Sequence, residues 1–208
     1  MADPQKPCAQ SSKPVLCISG LAGTGKSTLA KKLAQKYNLQ YYSGGDALKD
    51  LAKQNGYDIS VQGWWERDAG IKFLKERLSD HKFDRAVDEK LLEYAKQGNV
   101  LLDSWTMPWL LKGGFKIWLE ASTEKRATRV AERDNMPFLE ARKMLEEKEK
   151  RTKEIYQELY GFTLGEDLTP FDFVLDTDNL TAAQVFEVLC HVVDNLVLST
   201  TTSTTSIS

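Results

Sequence analysis

At 208 residues, 41% hydrophobic and 28% charged, the chain has the composition of one folded globular domain with room for an inserted subdomain. A formal charge of −2 leaves no basic footprint for nucleic acid, and the most apolar stretch, Val185 to Leu198, is broken by Glu187, His191, Asp194 and Asn195, so no membrane span is expected. Three cysteines without C-x-x-C spacing and two histidines argue against a disulfide framework or a zinc site and for a reducing, cytoplasmic compartment, and MADPQKPCAQ lacks a secretory pattern.

In chain order, residues 1–14 read as a flexible tail with three prolines. The apolar run Val15–Ser19 is a strand, followed by a glycine-rich loop and a helix over Lys26–Tyr37. A weaker strand, Gln40–Ser43, precedes a helix over Asp46–Gln54; an irregular middle leads to a helix over Asp84–Gln97, stopped by Gly98-Asn99. Strands at Val100–Leu102 and Phe115–Leu119, helices at Glu124–Arg133 and Phe138–Tyr160, and a strand at Phe171–Leu175 come next. The last helix opens on the capping box Thr181-x-x-Gln184, and Ser199–Ser208 reads as a second flexible tail. Short apolar strands alternating with helices predict an α/β domain over 15–198, a parallel sheet covered on both faces, with insertions at about 44–98 and 122–160.

The loop between the first strand and helix, GLAGTGKST, fits G-x-x-x-x-G-K-[ST]. Glycines let the backbone turn its N–H groups inward around an anion, and the helix behind aims its dipole at the same point. Gly20, Leu21, Ala22, Gly23, Thr24, Gly25, Lys26, Ser27 and Thr28 are thus expected to cradle the ATP phosphates. Lys26 would bridge the β- and γ-phosphates, and Ser27 would bind Mg²⁺. Asp103, leaving a buried strand, is the expected carboxylate partner of that metal.

Without an N/T-K-x-D element a GTPase switch is not indicated, and the chain is too short for a large ATPase. Phosphoryl transfer needs cations over the migrating group. Arg126, Arg129 and Arg133 fall at i, i+3 and i+7 on one helix face, and Arg142 and Arg151 follow. Arg129, Arg133 and Arg151 are the candidate catalytic arginines and Arg126 a candidate nucleotide contact; the competing reading is a solvated face paired with Glu124, Glu132 and Glu147.

SGLAGTGKSTLAKKLAQKY, YYSGGDALKDLAKQNG, FDRAVDEKLLEYAKQGNVLLDS, FKIWLEAS, LYGF and FDFVLDT together resemble the archaeal-type cytidylate kinases of the nucleoside-monophosphate kinase superfamily, from about Val15 to Val197. The resemblance implies a three-layer P-loop kinase with a five-stranded parallel sheet of order 2-3-1-4-5, a helical acceptor-binding insertion and a helical lid. It implies Mg²⁺-ATP as donor, CMP or dCMP as acceptor, and a monomer. Carried over by position, Ser43, Gly45, Asp46 and Lys49 line the acceptor entrance, Arg85 meets the acceptor phosphate, Asp103 lies near metal and base, and Asp176 begins the turn over the adenine.

The chain departs from that pattern twice. Lys49 stands where an arginine is common, keeping the charge without the bidentate fork. The D/E-G-R element is Asp103-Ser104-Trp105, with an indole in place of the phosphate-gripping arginine. Trp105, with Trp64, Trp65 and Trp109, forms either a wall for a pyrimidine ring or ordinary packing, and Arg67 is a candidate for the missing charge. Two other functions stay open: a P-loop kinase for a different small acceptor, and an ATP-binding regulatory module without turnover.

Overall fold

The five residues of Val15–Ser19 form β1, buried on both faces as a central parallel strand requires. In the computed structural model, which describes residues 13–60, 64–66 and 68–198, β1 lies at the middle of one sheet. The strands β2 (Gln40–Ser43), β3 (Val100–Asp103), β4 (Phe115–Glu120) and β5 (Phe173–Asp176) complete it in the expected order, 2-3-1-4-5, all parallel. Apart from Lys13 and Pro14, both expected tails lie outside the described residues, as does Arg67. Among the described residues no helix is long and apolar enough to cross a membrane.

Side-chain alternation along the strands divides the core. Leu16, Ile18, Leu101, Ile117 and Leu119 pack with Leu29 and Leu33 of α1 (Lys26–Lys36) and Val185 and Leu189 of α8 (Ala182–Val192). On the other face Cys17, Val100 and Leu102 meet α2 (Gly44–Gln54), α4 (Lys82–Gln97) and α5 (Met107–Leu110) through Leu48, Leu91 and Met107. Trp118 of β4 joins Ile155 and Tyr156 of α7 (Phe138–Tyr160) and Phe162. The result is the three-layer arrangement, with α6 (Thr123–Asp134) and α7 forming the helical lid hairpin around Asn135, whose φ of 50° makes the turn.

The irregular middle is ordered more than its sequence suggests: a 3₁₀ turn, Trp64–Glu66, runs into α3 (Asp68–Ser79). A Cβ on Gly70 would stand 2.2 Å from the Trp64 carbonyl, so glycine lets the first turn of α3 rest on the backbone before it. That same glycine weakens the helical signal. The helix α4 begins at Lys82, two residues ahead of expectation, with Asp80 accepting the Lys82 N–H at 3.0 Å. The last strand begins at Phe173, because Phe171 turns into the aromatic cluster against Trp109 and Trp118, its ring 5.3 Å and 5.2 Å from theirs. The capping box at Thr181 and Gln184 is present as read.

Trp118 is fully buried in this cluster. Trp118→Ala should cost about 3–5 kcal/mol, read as a lowered urea midpoint with little change in slope.

Candidate active site

At the end of β1 the backbone turns through Gly20, Gly23 and Gly25 at φ of 151°, 86° and 87°. A Cβ on Gly20 would lie 2.5 Å from the Leu119 carbonyl and one on Gly23 2.8 Å from the Arg126 carbonyl, so the loop is pressed between β4 and α6. Nothing lies within 4 Å of a Cβ built on Gly25, the residue just ahead of α1. No side chain caps α1, and the first N–H groups of a helix have no partner within it. The loop therefore suits a polyphosphate: three positive-φ glycines, the start of a helix with its dipole, and Lys26 and Ser27 bordering the cleft in front.

Three carbonyls of the loop accept bonds from distant segments. Trp105 Nε1 donates to Gly20 O at 2.5 Å. Arg126 donates from Nη1 to Ala22 O at 3.2 Å and to Glu149 of α7, from Nη2 to Thr123 Oγ1 and Glu149, and from Nε to Ala121 O. Arg129 Nη1 reaches Thr24 O at 3.5 Å, and its Nη2 meets Thr177 O at 3.1 Å.

A cleft of about 320 Å³ opens beside the loop. Ala22, Gly23, Lys26 and Ser27 form one wall; Ser43, Gly45, Asp46, Lys49, Asp103 and Trp105, residues expected on the acceptor side, also line it. Ser43 Oγ also accepts the Asp46 N–H at 3.1 Å, capping α2. Asp103 is buried and accepts from Tyr41 Oη at 3.0 Å, and it shares the cleft with the Ser27 hydroxyl. These oxygen donors suit Mg²⁺, a hard cation that keeps waters and takes phosphate oxygens to complete its shell.

Other expected site residues sit elsewhere. Arg126 matches its five N–H groups with five acceptors, so it joins loop to lid instead of reaching into the cleft. Arg129 fastens the loop to the turn after β5, where Asp176 Oδ1 accepts the Asp178 N–H at 2.9 Å. Arg151 pairs with Glu147 at 2.6 Å one helical turn away, and Arg142 with Glu146 and Glu124. Of the five lid arginines, Arg133 alone borders the cleft. Arg85 is exposed on α4 and does not line the cleft.

The tryptophans divide. Trp109 stacks on Phe162 at 4.0 Å, and Trp118 is core; Trp64, Trp65 and Trp105 border the cleft. The Trp105 ring has Lys26 Nζ 5.3 Å and Lys148 Nζ 5.8 Å from its centre, and Lys148 Nζ lies 5.1 Å from Trp65. Lys148, from α7, is a cleft cation that a search for arginines misses.

Sequence reasoning also missed Arg77, Asp84 and Asp88, all buried and all lining the cleft. Arg77 pairs bidentately with Asp84, Nε to Oδ2 at 3.0 Å and Nη2 to Oδ1 at 2.5 Å. Asp88 accepts from Thr106 Oγ1 at 2.5 Å and Tyr160 Oη at 2.6 Å. The signal for the two aspartates was the F-D-R-x-x-D segment itself, whose acidic positions, one helical turn apart, share the inward face.

Loop, sheet order and lid define a P-loop kinase fold. The shikimate kinase of Bacteroides thetaiotaomicron shares it at a TM-score of 0.54 and 16% identity, covering 89% of this chain and 99% of that one. The Cytidylate kinase-like family model matches residues 15–179, and the chain belongs to that family. The cytidylate kinase of Methanocaldococcus jannaschii is 35% identical, with 88% of this chain and 98% of the relative covered. That of Pyrococcus horikoshii is 32% identical, with 88% and 90% covered.

Burial pushes the Asp88 carboxyl up to about 6, against the opposing pull of the Thr106 and Tyr160 hydrogen bonds. A carboxyl raised above its unfolded value binds its proton more tightly in the native state, so its contribution to stability falls as pH rises from about 4 through 6. Relative to Asp88→Asn, the wild type should therefore lose on the order of 2–3 kcal/mol between pH 4 and 7, measured by urea denaturation across that range.

Proposed function

We propose that this chain transfers the γ-phosphoryl group of Mg²⁺-ATP to a pyrimidine nucleoside monophosphate, CMP or dCMP, giving ADP and the diphosphate. The observation that carries this reading is the shared cleft: one 320 Å³ space bordered by the phosphate loop on one wall and by α2, α3 and α4 side chains on the other. Both walls come from a single chain, so a monomer suffices. Relatives over most of the chain are named cytidylate kinase, which supports the acceptor class.

The chemistry asked of the protein is positioning and charge neutralisation. An oxygen of the acceptor phosphate attacks the γ-phosphorus, the bond from that phosphorus to the bridging oxygen breaks in line, and ADP leaves. Lys26, Arg133 and Lys148 bring positive charge into the cleft from the loop, the end of α6 and the middle of α7. Ser27 and Asp103 would hold Mg²⁺, which neutralises phosphate charge when bound. The lid helices exclude water from the transfer, and the turn at Asp176, fastened by Arg129, would cover the adenine.

The test is ADP release from ATP with CMP, dCMP, UMP, AMP, GMP and non-nucleotide alcohols as acceptors. CMP and dCMP should give the highest kcat/KM; turnover with none of the monophosphates would sink the assignment. Lys26→Ala should melt within a few degrees of the wild type and lose about 10³-fold in kcat. Unchanged turnover in that variant would show that the loop is not the donor site.

A further inference from the structure

The floor of the acceptor side is unexpectedly polar. Arg77, Asp84 and Asp88 are 2%, 3% and 6% exposed and still border the cleft. Arg77 and Asp84 answer each other's charge through their bidentate pair. Asp88 has no cation in such a pair; its two oxygens take one hydroxyl donor each, from Thr106 and Tyr160. A carboxylate offers about four acceptor positions, so capacity remains on a buried group facing the cleft. Packing alone does not call for this, since well-fitted apolar side chains serve the interior at least as well as buried charges.

A carboxylate beside a guanidinium asks for a ligand edge that carries an N–H donor next to acceptors. A 4-amino-2-oxopyrimidine has that edge: exocyclic amine, then ring nitrogen, then oxygen. A 4-oxopyrimidine reverses the first two, setting an oxygen against the carboxylate and an N–H against the guanidinium. Trp64, Trp65 and Val87 line the same cleft, an apolar and aromatic border suited to a ring. Resting on the function proposed above, we propose that Asp88 reads the exocyclic amine of the acceptor base, while Arg77, fixed by Asp84, faces the acceptor atoms of its ring. Asp88 is then the residue that separates cytosine from uracil, and Asp84 positions the guanidinium.

The experiment compares CMP, UMP and the 4-deamino analogue of CMP (a pyrimidin-2-one ribonucleotide, which lacks the amine) at saturating ATP, in the wild type and in Asp88→Asn. The wild type should favour CMP over the 4-deamino analogue by about 30-fold or more in kcat/KM, and over UMP by a larger factor. In Asp88→Asn the first ratio should shrink to within about threefold, by loss on CMP, with the KM for ATP and the ATP-induced rise in melting temperature unchanged. An equal loss on all three acceptors would make Asp88 a brace of the fold and overturn the inference. So would a wild type that takes the 4-deamino analogue as fast as CMP, an outcome independent of how the variant folds. A wild type that phosphorylates AMP and no pyrimidine nucleotide overturns this inference and the CMP assignment together, whereas the first two outcomes leave that assignment standing.

Discussion

The carbonyl oxygens of the glycine loop after β1 are the points to which distant parts of this structure are tied. Gly20 O holds Trp105 from the segment after β3, Ala22 O holds Arg126 of the lid, and Thr24 O lies beside Arg129, which also grips the turn after β5. The segment after β3 and helix α6 thus bond to different positions in the same loop, and the turn after β5 is tied to it through Arg129. The close approaches at Gly20 and Gly23 follow from the same geometry, since β4 and α6 pack directly on the loop backbone. Trp105 fits this scheme as a brace. Where an arginine would extend past the loop toward a ligand, the indole stays on it, one edge bonded to Gly20 and its face near the Lys26 ammonium.

The long helix α7 joins the two halves of the cleft. Near its middle Glu149 receives Arg126, which holds the glycine loop; at its end Tyr160 donates to Asp88, and the buried Tyr156 lines the cleft with Arg77. Movement of this helix would be felt at both walls of the cleft.

The loop wall of the cleft was legible in the sequence because its pattern is local. Nine consecutive residues, Gly20 to Thr28, carry the spacing, the strand lies before them and the helix after, and Asp103 stands at the end of an apolar run. The sheet order followed from resemblance to a known architecture. The opposite wall depends on which face of α4 turns inward. Asp84 and Arg85 are adjacent and both charged, so composition does not separate them; burial does, sending Asp84 inward to Arg77 and leaving Arg85 in solvent. The helix that supplies Arg77 was itself masked by Gly70, whose reason is the nearby Trp64 backbone. The lid arginines fell on one helical face as spaced, yet their partners, Ala22, Glu149 and Thr177, lie far off in sequence, so only the folded chain shows that Arg126 is fully engaged.

Three of the five indoles border the cleft, whereas Trp109 and Trp118 are packed into an aromatic cluster behind it. Trp105 sits between two ammonium groups, those of Lys26 and Lys148, and a phosphate arriving there competes with its ring for both. The protein consequently carries its own optical reporter at the point of arrival. Ultraviolet emission, with a constant background from the two packed rings, can follow nucleotide entry in real time without any attached dye.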